Sequence, residues 1–292
     1  MNKAKMINHS NIPVLVGLDL SEMDGEIIRY THTLRQWLLI GHLTFLHSVK
    51  LAELPPNLRE PATLRRIAAR IGEKIREQIA GILLPGTPFD IEVSLEEFPE
   101  MAFMQQVRKK QAGLVILGNK QTLEGSGGLS QKLARMLPAA VMLVPEGMVQ
   151  IPSRIIEAID FSKYTAPVVQ WGRTLHVPPH VREMIPVNVN RMGYHAFPIF
   201  SDEEIEAVFD QEVVHRARKW KEQFPGEPPL QVIPSGGRSI ASALLDFTRN
   251  RQAGMIILGV QGATSLTNLF MGSVANEILQ RSDLPALLLV KP

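Results

Sequence analysis

Residues 259–273 read G-V-Q-G-A-T-S-L-T-N-L-F-M-G-S, a composition suited to holding an anion. Before them, Met255-Ile256-Ile257-Leu258 has the character of a buried parallel strand; after them, Val274-Ala275-Asn276-Glu277-Ile278-Leu279 has that of a helix. The order is strand, glycine turn, nine-residue loop, then Gly272-Ser273 at a helix start. A helix start turns unpaired N–H groups and partial positive charge outward. Gly262 and Gly272 have no Cβ, so a ligand could approach the backbone closely, and Ser273 adds a hydroxyl donor. No G-x4-G-K-[ST] occurs anywhere, so the chemistry suggested is phosphate binding without a Walker lysine.

Such a loop needs a strand and a helix to hold it, and the chain repeats that arrangement. Arg108-Lys109-Lys110-Gln111-Ala112-Gly113-Leu114-Val115-Ile116-Leu117-Gly118 matches Arg249-Asn250-Arg251-Gln252-Ala253-Gly254-Met255-Ile256-Ile257-Leu258-Gly259 at an offset of 141 residues. The same offset sets Asp19 on Asp160, Ser21 on Ser162 and Leu34 on Leu175. The expectation is two tandem copies of one domain, 1–147 and 152–292, joined by a linker over 146–152. In the first copy, strands are expected at 14–18, 43–47, 91–93, 114–117 and 141–144. A long amphipathic helix starts near Pro61 and turns Leu64, Ile67, Ile71, Ile75 and Ile82 to one face. In the second copy, strands are expected at 155–159, 184–189, 230–233, 255–258 and 287–290. Ser201-Asp202-Glu203-Glu204 is a capping box opening a helix that carries Ile205, Phe209, Val213, Ala217 and Trp220. Residues 190–200 form a long polar loop. Strands alternating with helices give an α/β class, a parallel doubly wound sheet in each copy.

Composition narrows the partners. Residues 1–150 carry 17 Lys and Arg against 15 Asp and Glu, and residues 151–292 carry 14 against 14, so neither half has the basic excess of a nucleic-acid binder. No apolar run is long enough for a membrane span, and the first residues show no signal-peptide core, which leads us to expect a cytoplasmic protein. With no cysteine, thiolate metal sites and cysteine nucleophiles are excluded.

The G-x2-G-x9-G-S spacing, in a duplicated α/β chain, resembles the nucleotide-binding signature of the universal stress proteins. The resemblance covers nearly the whole chain and implies a five-stranded parallel sheet per domain, order 3-2-1-4-5, with helices on both faces. It also implies an adenine-nucleotide-binding stress-response regulator. Carried onto this sequence, the site is Asp160 with Ala158 and Ile159 after strand one and Val189 after strand two. The glycine signature adds Gly259, Gly262, Gly272, Ser273 and Val274. The ligand expected is ATP or another adenine nucleotide, one per chain, with or without Mg2+. No catalytic residue and no metal site is expected, and any ATP hydrolysis would be weak. The apolar last strands suggest an intrachain pseudo-dimer paired through them, alone or within a homodimer, because an open apolar edge invites aggregation. An unidentified protein partner is expected; nucleic acid and membrane are not.

This sequence departs from the family at several points. Val260-Gln261 stand where small polar and basic residues are usual, and Ala275 lacks a hydroxyl. In repeat one Gln121 replaces the second glycine, the loop before Gly125-Ser126 is three residues, and Ser48 replaces Val189. Repeat one is therefore expected to be degenerate and structural. Ser235-Gly236-Gly237-Arg238-Ser239 resembles the phosphate loop of ATP pyrophosphatases, but that loop follows a first strand; here the expected place is after the fourth strand position, and it reads as a turn with a helix cap. His176 and His180 have a metal-like spacing, but Pro178-Pro179 between them breaks any helix and no third ligand is evident. Asp246 and Glu277 read as solvated helix faces and His47 as a half-buried strand residue. The competing functions are a ligand-free interaction protein of the same fold and, last, an ATP-hydrolysing enzyme.

Overall fold

A computed structural model describes residues 11–38, 40–120, 128–149, 151–191, 201–262, 271–281 and 283–292. Of the positions singled out above, Gln121, residues 122–124, Gly125, Ser126, residues 192–200 and most of the loop between Gly262 and Gly272 lie outside them. The chain forms two compact units, Met1–Ile151 and Pro152–Pro292. Among the described residues no helix is long and apolar enough to cross a membrane.

Unit 1 runs β1 (Ile12–Leu18), α1 (Met23–Trp37), β2 (Ile40–Ser48), α2 (Pro61–Ala80), β3 (Phe89–Ser94), α3 (Pro99–Lys110), β4 (Leu114–Asn119), α4 (Gly128–Met136) and β5 (Ala140–Pro145). Its strands are all parallel, in the order β3-β2-β1-β4-β5. Unit 2 runs β6 (Arg154–Ala158), α5 (Thr165–Leu175), β7 (Glu183–Asn190), α6 (Asp202–Gln223), β8 (Gln231–Pro234), α7 (Ile240–Asn250), β9 (Met255–Gly259), α8 (Ser273–Leu279) and β10 (Ala286–Val290). Its order is β8-β7-β6-β9-β10, again parallel, so each unit has the 3-2-1-4-5 arrangement. The central strands are apolar on both faces because helices cover both: Leu15, Val16, Val115 and Ile116 are fully buried, as are Ile155, Ile156, Ile256 and Ile257.

The duplication extends to backbone detail. Leu20 (φ 64°) and Phe161 (φ 58°) are left-handed at equivalent positions after the first strand, and Gln111 (φ 51°) and Gln252 (φ 53°) at the turn before the fourth. A large side chain rarely adopts this conformation, so the same strain held in both units marks turns fixed by their surroundings.

Two helices differ from expectation in depth. On α2 only Ile75 and Ile79 are buried; Leu64, Ile67 and Ile71 are half-buried. The strand beneath, β3, is an edge of its unit's sheet and is itself half-buried along its length, so there is little core for the first half of α2 to enter. On α6 the Ser201–Glu204 capping box forms; Trp220 is buried, and Ile205, Phe209, Val213 and Ala217 are half-buried.

One buried carboxyl went unnoticed in the sequence. Glu157, in the middle of β6, is 1% exposed, and its Oε2 has no partner. It lies under α5 at Gly172, where a Cβ would fall 1.7 Å from its Oε1. Burial pushes its carboxyl up to about 8, reinforced by the charge of Glu227 and opposed by Arg173. The folded protein thus holds a proton that the unfolded chain releases near its ordinary value of 4.5. Stability from this group is complete below that value and is lost as pH rises through about 8. Glu157→Gln removes the titration, so between pH 4 and pH 9 the variant should gain roughly 3–5 kcal/mol relative to wild type. Urea unfolding of both proteins across that range checks this; parallel curves would refute it.

Candidate functional site

The site is built at the carboxyl end of unit 2's sheet. As β6 ends, Ile159 donates its N–H to Val187 O (2.8 Å), and its own carbonyl accepts from Asn188 Nδ2 (2.7 Å). The chain then turns through Asp160 and the left-handed Phe161. Asp160 Oδ1 accepts from the Ser162 N–H (2.9 Å) and from Thr165 Oγ1 (3.3 Å), which ties the carboxylate to the start of α5.

The glycine segment closes against this turn. Gly272 donates its N–H to Val260 O (2.8 Å). A Cβ on Gly272 would lie 3.1 Å from both Gln261 Cα and Gly262 N, so the loop's two ends meet backbone to backbone. A Cβ on Gly262 would lie 3.3 Å from Asp160 Oδ2, and one on Gly259 would lie 2.6 Å from Tyr164 Cβ. The Tyr164 hydroxyl donates to Gln261 Oε1 (2.8 Å) in a buried hydrogen bond. This corrects the reason given above for Gly272: its bareness serves closure of the loop, and its N–H is already used. Gly272 caps α8, whose first internal bond runs from Asn276 N–H to Gly272 O (2.9 Å). The amides of Ser273, Val274 and Ala275 precede that bond and so lack helical acceptors. With seven residues α8 has a small dipole, so these local N–H groups matter more than the helix field.

All nine residues singled out in the sequence, Ala158, Ile159, Asp160, Val189, Gly259, Gly262, Gly272, Ser273 and Val274, line one cleft of about 400 Å³. That volume suits a ligand of nucleotide size. The cleft also takes Ile240 and Leu244 from α7, which the sequence reading missed. Their spacing of four at a helix start was the available signal. They follow Ser235–Ser239, which comes after β8, the third strand of unit 2 and not the fourth. Gly236 (φ 60°) and Gly237 (φ 76°) make the turn, Arg238 N–H bonds Ser235 O (3.1 Å), and Ser239 caps α7 through the Ser242 N–H (3.1 Å).

The other candidates are placed elsewhere. His176 and His180 are exposed, and among the described residues no group of three His, Asp or Glu could hold a metal. Asp246 pairs with Arg238 and Arg249, while Glu277 pairs with Arg281 and accepts from Ser239.

Unit 1 has a cleft of about 590 Å³ at the same place, larger than its counterpart despite the lost glycine. His47 is buried rather than half-buried; its Nδ1 meets Leu18 O (3.0 Å), and since a carbonyl only accepts, Nδ1 carries the proton. This is the bond that Asn188 makes to Ile159. Lys120, at the position of Gln261, pairs with Asp19 (2.6 Å). Partial burial raises the Asp19 carboxyl, but hydrogen bonds from Lys120 and Ser21 outweigh it and hold the group below its ordinary value. Asp24, at the position of Thr165, accepts the N–H groups of Asp19 (3.0 Å) and Leu20 (2.8 Å), and burial pushes its carboxyl up to about 6.

The family model of the Universal stress protein family matches residues 153–291. A universal stress protein of Methanocaldococcus jannaschii is 31% identical over 82 residues, which is 28% of this chain and 46% of that relative. Among solved structures, a universal stress protein from Archaeoglobus fulgidus DSM 4304 has a TM-score of 0.63 at 16% identity, covering 96% of each chain. A functionally unknown protein from Pseudomonas aeruginosa PAO1 has a TM-score of 0.63 at 14% identity, covering 97% of this chain and 94% of that one. At such identities the structural likeness speaks for the fold.

The glycine contacts order the cost of adding a methyl group. Gly259→Ala meets the fixed Cβ of Tyr164 at the cap of α5 and should destabilise most, by roughly 2–4 kcal/mol. Gly272→Ala presses on backbone at 3.1 Å, a looser contact than the 2.6 Å at Gly259, and should cost less. Gly262→Ala faces only a carboxylate and should stay within about 1 kcal/mol of wild type. Urea midpoints for the three variants test the order; equal losses would show the contacts do not set it.

Proposed function

We propose, for a chain whose residues 153–291 match the model of the Universal stress protein family, that unit 2 binds one adenine nucleotide in the cleft between β6 and β9. The observation that carries this reading is the convergence of all nine positions on one cleft where the order of the sheet reverses. The residues fit the ligand's chemistry. Val189, Ile240 and Leu244 offer apolar surface for a base, and Asp160 offers a carboxylate for hydroxyl or amine donors. The amides of Ser273, Val274 and Ala275, with the Ser273 hydroxyl, offer donors to phosphate oxygens. Val260 and Gln261 bring no cation, so the phosphates would be held by N–H groups and not by a neutralising side chain.

We read the site as one that binds and does not turn its ligand over. Asp160 Oδ1 is already committed to Ser162 and Thr165, so it is poorly placed to act as a general base. Binding would then act by changing the surface that unit 2 shows to a partner protein. In unit 1 the Asp19–Lys120 ion pair spans the equivalent crevice, which favours one nucleotide per chain.

The direct test is to denature the purified protein, identify any released nucleotide, and titrate ATP, ADP and AMP by calorimetry. One equivalent per chain is expected. Gly262→Arg should abolish it by driving a side chain into Asp160, and Gly272→Val by prising the loop open, with both proteins still folded by circular dichroism. Two equivalents, or unchanged affinity in both variants, would overturn the assignment. No binding to the wild type would favour the ligand-free interaction protein.

A further inference from the structure

The departures in repeat one predict a purely structural unit, yet its cleft is the larger of the two, about 590 Å³ against about 400 Å³. Much of its wall is apolar. Met23, Phe103 and Leu117 line it as buried side chains, and Leu54, Pro99 and Leu129 as half-buried ones. Its charged groups are already matched. Asp19 pairs with Lys120 (2.6 Å) and Glu53 with Lys50 (2.9 Å), and all four line the cleft. The surplus carboxylate, Asp24, also lines it, but is 2% exposed and gives one oxygen to each of the Asp19 and Leu20 amides. An anion would meet that surplus charge, and an ion of either sign would give up its hydration without a new partner. One polar atom is left over. The His47 ring lines the cleft with Nδ1 held by Leu18 O (3.0 Å). Its Nε2 has no partner among the described residues and is not sealed in, so it opens on the cleft. Burial holds the imidazole below its ordinary 6.5, so at neutral pH this nitrogen is a lone pair that only accepts. Asn188, at the same position of unit 2, gives its oxygen to Arg216 and offers no such acceptor.

We propose that the cleft of unit 1 is a second ligand site, for an uncharged, largely apolar small molecule that donates one hydrogen bond to His47 Nε2. The apolar wall supplies the affinity, the lone acceptor sets the orientation, and the matched charges exclude phosphates. The two units then differ in ligand chemistry, and the second site stands whether or not unit 2 binds a nucleotide.

The probe is N-phenyl-1-naphthylamine, an uncharged aromatic amine with a single N–H, whose fluorescence rises in an apolar site. Titrated into the full-length protein at neutral pH, it should saturate with a Kd of roughly 10–100 µM. Benzylnaphthalene, which has CH2 in place of the N–H, should displace it but bind roughly fivefold more weakly than the amine. Anilinonaphthalene sulfonate, the same skeleton with an anionic group, should bind at least about tenfold more weakly. In His47→Asn the preference for the amine over the hydrocarbon should shrink to within about twofold, which isolates the hydrogen bond from any general loosening of the cleft. In the wild-type protein the 15N signal of His47 Nε2 should move upfield as the amine is added, which reads the same contact without a variant and decides the matter if His47→Asn fails to fold. Absence of saturable binding, equal affinity for the amine and the hydrocarbon, a preference that survives in His47→Asn, a sulfonate that binds as tightly, or an unmoved Nε2 signal would each overturn the proposal.

Discussion

The constraint on which the rest depends is the position of the first strand in each unit. With β1 between β2 and β4, and β6 between β7 and β9, the chain leaves neighbouring strands toward opposite faces of the sheet. A parallel sheet wound in this way cannot close over the carboxyl ends of those strands, and a crevice remains. Both units have it, whatever their loops contain, and unit 1 has the larger one. The cleft is therefore a product of topology. Its residues decide what, if anything, occupies it.

Seen position by position, the two clefts are variations on one frame. His47 and Asn188 use different chemistry to hold the same carbonyl, that of Leu18 or Ile159. Each holds the end of its strand so that the next residue, Asp19 or Asp160, turns the same way. Arg216 of α6 donates to both Asn188 and Asn190, which fixes the amide of Asn188 with its nitrogen toward Ile159. Around that frame unit 1 has become self-satisfied: Lys120 neutralises Asp19, and Asp24 fills the amides. In unit 2 the corresponding side chains are neutral: Gln261 accepts from Tyr164, and Thr165 donates to Asp160. The buried Asp24 carboxyl, raised to about 6, reflects what enclosing a second carboxylate beside Asp19 costs.

The fold was legible because it rests on patterns that survive without tertiary knowledge. Apolar runs gave the strands, proline and glycine gave most boundaries, and the offset of 141 residues gave the duplication. What was not legible depended on neighbours distant in sequence. Half of the α2 stripe is half-buried because β3 beneath it is an edge strand, and no helical periodicity reveals that. Glu157 sits in an apolar run where a carboxylate is improbable, and only the absence of a side chain at Gly172 makes room for it. In the site, all nine positions converge, yet Ile240 and Leu244 were missed because α7 reaches the cleft from the far side of the Ser235–Ser239 turn, which drew attention to itself. The Asp24–Thr165 difference was visible at the same offset, but nothing in a sequence says that two amides point at that side chain.

The glycine signature itself separates into residues of two kinds. A Cβ at Gly259 would meet Tyr164 Cβ at 2.6 Å and the Gln261 carbonyl at 2.9 Å, whereas one at Gly118 would meet the flexible end of Met23, its Sδ at 2.7 Å. The first glycine of the pattern is thus demanded by packing in unit 2, while in unit 1 the thioether can move aside. The third, Gly272, is demanded by closure of its own loop. Only Gly262 stands against a functional group, the Asp160 carboxylate, and only the second glycine is replaced in unit 1, by Gln121. A unit can discard a glycine whose Cβ would face only a carboxylate without disturbing its core, but not one whose Cβ would meet the fixed Cβ of Tyr164.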